Sequence, residues 1–456
     1  LVLQYMANPS VYDNMPKTIF AEGTYVGDYQ LTGTDYDDLK LKQGEEQQEP
    51  DIIWLIKFAA RRYYDWGHDD DKKLHMLTKE QLAYYLYLAP ELIARGWETE
   101  EFYRNVLEYT IKVWDDKNCN LQWYEVADTD HDLYSVQTKF GGLKGSQPMG
   151  HSIVPNLMMY EVAKREGLDD DVANKFLKAA IENCAYTIGE HQKNLNNGKI
   201  INDICDPYFC KGQRMSEYIT IPALDYFVAM CPDVDFTTLG VTGLTDGLPN
   251  VTELKNAVKE KVAAWAKVNI ARGDNLWDIR KAVCAADVNK YQFHTKGGSV
   301  TEEYWTGAAY AIADGQNPAP KNEPGNQAGL QAVMYAAARV LDDDSNADTT
   351  ARLRALGVAA IDDLFGRNPT GMAAFIDASV DEGHNTNDFT GLDKGWYTWY
   401  KEKGNGALKH CTAVIQANAP EACYEGENHY NPSAYASGYT EGWVAYNTAW
   451  NASLAY

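Results

Sequence analysis

Helical periodicity, restarted again and again along the chain, is the feature that most narrows what this sequence can fold into. Asp51 is followed by IIWLIKFAARRYYDW, in which apolar residues return at the three-to-four-residue spacing of one helix face. The pattern restarts near Thr78, Thr99, Ser152 and Asp169. It recurs over Ser216 to Met230, Val251 to Ile270, Thr301 to Ile312, Gln327 to Leu341, Thr349 to Phe365 and Glu441 to Ala455. Each stretch must bury one apolar stripe against another helix, so the expected class is all-α.

The connections are marked by Gly, Pro and Asn, as in GLKGSQPMG, NLNNGK, TDGLPN and DGQNPAPKNEPGN, and no low-complexity linker divides the chain. One domain is expected. Residues 1 to 50, rich in Gly, Asp, Tyr and Gln without a sustained period, form an irregular N-terminal segment of it, and residues 51 to 456 form the helical body. Paired helices with loops of uneven length predict an array of α/α hairpins, closed into a toroid or left open as a solenoid. The lack of a fixed-period repeat disfavours the solenoid. In a toroid the longer loops gather at one end as a cleft.

Lys and Arg total 41 against 65 Asp and Glu, a net charge of -24 that repels a phosphate backbone and argues against a nucleic-acid partner. No stretch approaches the roughly 20 apolar residues that span a bilayer. The opening at Leu1, without Met or a basic leader, reads as a processed mature chain. Eight cysteines, with Cys205 near Cys210 and Cys411 near Cys423, allow disulfides, and Asn250 and Asn451 head Asn-x-Ser/Thr sequons. Together these features predict an extracellular or periplasmic protein.

Chemistry is densest near the C-terminus. In Gly438-Tyr439-Thr440-Glu441-Gly442-Trp443 a carboxylate at the head of a helix stands among aromatics. Such surroundings can raise its pKa into a general acid's range, although acidic residues also serve first helical turns for dipole reasons. Glu441 followed by Tyr446 and Asn447 resembles the terminal acid motif of glycoside hydrolase family 9. Upstream, Asn322-Glu323-Pro324-Gly325-Asn326, the helix from Gln327, and Phe365-Gly366-Arg367-Asn368-Pro369-Thr370-Gly371 are similar to that family's Asn-containing loop, penultimate helix and Gly-x-Asn-Pro turn.

The resemblance implies an (α/α)6 toroid, inverting hydrolysis, a carbohydrate substrate, and Glu441 as the acid. Inversion needs a second carboxyl about 6.5 to 9.5 Å away, leaving room for the attacking water. Asp35-Tyr36-Asp37-Asp38 lies roughly where the family has its Asp pair, which makes Asp38 the base and Asp35 its partner, with Asp28 as the substitute. The glycines and aromatics that normally surround the pair are missing, as is the family's His-His-Arg stretch, for which His384 alone stands in a comparable interval. Asn326, Tyr439 and Tyr446 join the expected substrate contacts.

The loop cluster Trp396-Tyr397-Thr398-Trp399-Tyr400 suits stacking on sugar rings, with Trp396, Tyr397 and Trp399 as contacts, whereas Trp54, Trp265 and Tyr335 lie on apolar helix faces and are expected in the core. Arg214 precedes Ser216 and Glu217, which read as capping residues, and is itself expected to face the cleft as a substrate contact. Asp128-Thr129-Asp130-His131-Asp132 alternates carboxylates as a calcium site does, but it lacks the rest of an EF-hand loop, which favours a solvated acidic turn. No other cofactor is suggested: Gly-rich phosphate loops, GxSxG and HExxH are absent. Two rival functions fit the residues. A polysaccharide lyase could use Tyr439, His294 or His384, all expected in loops, and a non-catalytic glycan-binding toroid needs none of them.

Overall fold

The computed structural model describes residues 1–15, 17, 25–26, 29–34, 41, 47–68, 75–115, 150–192, 195–196, 199–200, 204, 217–245, 247–274, 278, 280, 292–295, 298–301, 323–364, 375–377, 413–415 and 444–456. They are mostly helical, and the all-α expectation holds. The helices are α1 Val2–Ala7, α2 Pro9–Tyr12, α3 Asp51–His68, α4 His75–Ala94, α5 Glu100–Asp115, α6 Ile153–Arg165 and α7 Asp170–Thr187. After them come α8 Glu217–Met230, α9 Phe236–Leu239, α10 Val251–Arg272, α11 Glu323–Val340, α12 Ala347–Leu364 and α13 Val444–Ser453. Antiparallel pairs of very short strands decorate the connections: β1 Tyr25–Val26 with β2 Tyr29–Gln30, β3 Leu195–Asn196 with β4 Lys199–Ile200, β5 Gln292–Thr295 with β6 Gly298–Thr301, and β7 Phe375–Asp377 with β8 Ala413–Ile415.

Local chemistry explains several helix starts. The Phe102 N–H donates to Thr99 Oγ1 at 3.3 Å and caps α5. The Glu253 N–H donates to Asn250 Oδ1 at 2.9 Å and caps α10, a bond worth about 1 kcal/mol. Asn250 thus has a structural use besides its sequon. Ser453, in the second sequon, is buried in the seam between α11 and α13, where the Ala332 N–H reaches its hydroxyl at 3.5 Å.

Three expectations are corrected. The first 50 residues are not irregular throughout: they open with α1 and α2, and Tyr5 is fully buried. The run Val2-Leu3-Gln4-Tyr5-Met6 is too short to show a period, and packing against α3, α4 and α13 supplies what propensity does not. Thr301 ends strand β6 rather than starting a helix, with Gln292 as its register partner, and 302–312 lie outside the described residues. Helix α11 begins at Glu323, so Asn326 lies in its first turn and not in a loop; Pro324 is well suited to that turn, where its missing N–H has no partner to lose.

The buried residues form two main clusters. One is built by α1, α3, α4 and α5 with parts of α6 and α7, and the other by α6, α7, α8 and α10 to α13; Tyr84, Tyr87 and Tyr160 pack against both. Trp54 and Trp265 are in the core as expected, while Tyr335 is half-buried. Arg61 makes a two-pronged bond to Glu98 at 2.7 and 2.8 Å, with both side chains buried and the guanidinium 4.1 Å from the Phe102 ring centroid. A second buried pair, Lys57 with Glu49, fastens the start of α3. Among the described residues Cys184 and Cys231 are free and buried; Cys205, Cys210, Cys411 and Cys423 lie outside them.

The order in which helices pack positions everything that follows. α4 packs on α6, α6 on α8, α8 on α11, α11 on α13, α13 on α1, and α1 back on α4. Against this series lie α3 and α5 on α4, α7 on α6, α10 on α8 and α11, and α12 on α11. The turns 95–99, 166–169 and 341–346 join packed neighbours and are short, which makes those neighbours antiparallel. The long connections 116–152, 188–216, 273–322 and 365–443 each lead into the head of a helix in the series: α6, α8, α11 and α13.

Candidate functional site

Contacts within the first two turns show that these heads share one end of the helix array. Ser152, just before α6, donates from Oγ to Glu80 Oε1 in the second turn of α4 at 2.5 Å. Gly150 has φ of +80°, and a Cβ placed on it would lie 3.5 Å from the Ala223 Cβ of α8. At Gly329 of α11 an added Cβ would come within 2.7 Å of Tyr218 in α8 and 3.1 Å of Ala449 in α13. Only a residue without Cβ lets three helices approach so closely.

The opposite end is tied by different groups. Arg165, the last residue of α6, donates to the Leu86 carbonyl at 2.9 Å and the Tyr87 carbonyl at 3.2 Å. The Tyr456 hydroxyl donates to Asp225 Oδ2 at 2.7 Å, beside Arg339 at 3.4 Å. Burial pushes the Asp225 carboxyl above its ordinary value, opposed by the Tyr456 bond and the Arg339 charge.

Two polar clusters stand at the head end. In the first, Glu80 Oε1 receives the Ser152 hydroxyl and lies 3.4 Å from His151 Nε2, which is 3.1 Å from Ser152 Oγ. All three side chains are buried, and burial, then the Glu80 charge, raises the pKa of the neighbouring Tyr84 phenol. In the second, Arg280 Nη1 donates to Glu217 Oε2 at 2.6 Å and to Asn269 Oδ1 at 3.2 Å, while Trp265 Nε1 donates to Glu217 Oε1 at 3.3 Å. Glu217 is therefore not a solvent-facing cap: a buried guanidinium balances its charge.

Of the residues the sequence nominates, Asn326 and Tyr446 lie in the first turns of α11 and α13, adjacent helices whose heads meet at this end. Asp28, Asp35, Asp38, Arg214, His384, Trp396, Tyr397, Trp399, Tyr439 and Glu441 lie outside the described residues, as does the acidic run 128–132. His294 is in strand β5, opposite Ser299, rather than in a loop. Sequence reasoning missed Glu80, His151 and Arg280, because pairs separated by 72 and 63 positions leave no mark in local spacing. Compared with known proteins, the chain matches no protein-family model, no curated sequence and no solved structure.

Proposed function

We propose that this chain is an extracellular or periplasmic glycoside hydrolase, built as an (α/α)6 toroid, that cleaves a β-linked poly- or oligosaccharide with inversion. One observation carries the reading. The helix heads that follow the long connections share one end of a packing order that returns on itself, and one of those connections, 365–443, contains Glu441 three residues before α13. In a toroid the longer loops gather at one end as a cleft, and a concave site of that kind is where a ligand binds. Glu441 protonates the leaving oxygen, and Asp38, aided by Asp35, activates the water. His384, Arg214, Asn326, Tyr439 and Tyr446, with the rings of Trp396, Tyr397 and Trp399, hold the sugar.

A panel of neutral and uronate-containing glycans tests this reading. The purified protein is expected to release new reducing ends from a neutral β-glycan without the ultraviolet absorbance of an unsaturated uronate. Growth of that absorbance would mean β-elimination and overturn the hydrolase assignment. Binding without any new reducing end would make the protein a non-catalytic glycan receptor.

A further inference from the structure

At the end opposite the helix heads, side chains come together from helices that are not neighbours in the packing order. α11 lies between α8 and α13, yet the Tyr456 hydroxyl, just beyond α13, donates to Asp225 Oδ2 of α8 at 2.7 Å. Arg339, in the last turn of α11, joins them: its Nη1 is 3.4 Å from the same oxygen, and its guanidinium carbon is 5.4 Å from the Tyr456 ring centroid. α6 likewise lies between α4 and α8, yet Tyr226 of α8 is within electrostatic reach of Tyr84 and Tyr87 of α4. Burial first, and then Glu80 and Tyr226, push the Tyr84 phenol up. Burial also pushes up Tyr226, opposed by Arg339 and joined by Asp225 and Tyr87. Four helices thus turn polar and aromatic groups toward one another inside the packing order.

The group is open to solvent, because Tyr84, Tyr87, Tyr226 and Tyr456 are half-buried and the Arg339 side chain is 49% exposed. The hydroxyls of Tyr84, Tyr87 and Tyr226 bond to no other group among the described residues. Filling space would be served as well by Phe or Leu, which carry no hydroxyl that needs a partner. Asp225 is already spent on Tyr456 and Arg339, and that pairing leaves little net charge. An anion would meet Asp225 and a cation would meet Arg339. A sugar ring suits the remaining features, since its C–H face stacks on phenol rings while its hydroxyls bond their polar tips.

We propose that Tyr87, Tyr226, Arg339 and Tyr456, with Tyr84 one turn further in, form a second carbohydrate site that binds an uncharged sugar unit and carries out no chemistry. Its residues, and the turns 95–99, 166–169 and 341–346 at the same end, are all described. The choice of a saccharide rests in part on the hydrolase reading, whereas the geometry does not. Asp225 is a positioning residue here, holding Tyr456 and Arg339 in place.

Calorimetric titration tests the site, using sulfur-linked β-tetrasaccharides of glucose, xylose and mannose as neutral probes that hydrolases do not cleave. The double variant Tyr87→Phe with Tyr226→Phe keeps the rings and their packing and removes two hydroxyls. At least one neutral probe is expected to bind the unaltered chain at a site that this variant weakens about tenfold. Hydrolysis of a natural β-glycan is expected to keep the parent kcat. The inference is overturned if no probe finds a site that the variant weakens. A parallel fall in kcat also overturns it, because the tyrosines would then belong to the reacting site. A tetrasaccharide of uronates that binds there as tightly as the neutral probes overturns the uncharged-ligand assignment. If the parent hydrolyses no glycan, the hydrolase reading fails on its own account and the titration alone decides for or against this site.

Discussion

Glu441→Gln is expected to lower kcat on a native β-glycan by about 10²–10⁴-fold with little change in KM, because the amide keeps the shape of the side chain and loses the transferable proton. The size of the loss depends on the leaving group. A glycoside of a strongly acidic phenol departs without protonation, so the same variant should hydrolyse such a substrate at close to the parent rate. Equal losses on both substrates would assign Glu441 to folding or sugar binding, and no loss on either would remove it from the mechanism. Measuring both substrates side by side, with a thermal melt as the control for folding, separates these cases.

Arg61→Met is expected to cost about 3–5 kcal/mol of stability, since it strands the Glu98 carboxylate in the core joined by α3, α4 and α5. The sign of its pH dependence follows from the groups around Glu98. Burial pushes that carboxyl up, but the bonds and charge of Arg61 and the Thr99 N–H pull it down and win, so it titrates below its ordinary value of 4.5. A carboxyl lowered by folding contributes stability that is fully present above the ordinary value and lost as pH falls through the folded one. Without Arg61, burial dominates and raises the carboxyl, so the variant should lose stability as pH rises through that higher value. The gap between parent and variant is therefore expected to widen from mildly acidic to neutral pH in urea unfolding. A gap independent of pH would contradict this account, as would failure of Arg61→Met with Glu98→Met to recover most of the loss.

The helical body was legible because amphipathic periodicity is a local property. The expected stretch Ser216 to Met230 is α8 to within one residue, and the stretch from Val251 begins α10 at its first residue. What escaped is what tertiary contacts decide. α1 owes its helix to docking, and the polar surroundings of Glu217 look like a cap until Arg280 arrives from the connection after α10. Nothing in the local sequence singles out Gly329, yet an added Cβ there would meet both Tyr218 of α8 and Ala449 of α13. As for the candidate site, residues near one another in the sequence suggested an acid and its sugar-binding neighbours. The proposed base, Asp38, is far from Glu441 in the chain, and local spacing carries no information about such a pairing.

The anomeric form of the first product tests the central claim most directly. Proton NMR of a β-glycan during the first minutes of hydrolysis, before the released sugar equilibrates, is expected to show the α-anomer at the new reducing end, as inversion by an acid and a separate water-activating base requires. A β-anomer appearing first would mean retention through a covalent intermediate, and the Glu441 and Asp38 roles would have to be withdrawn.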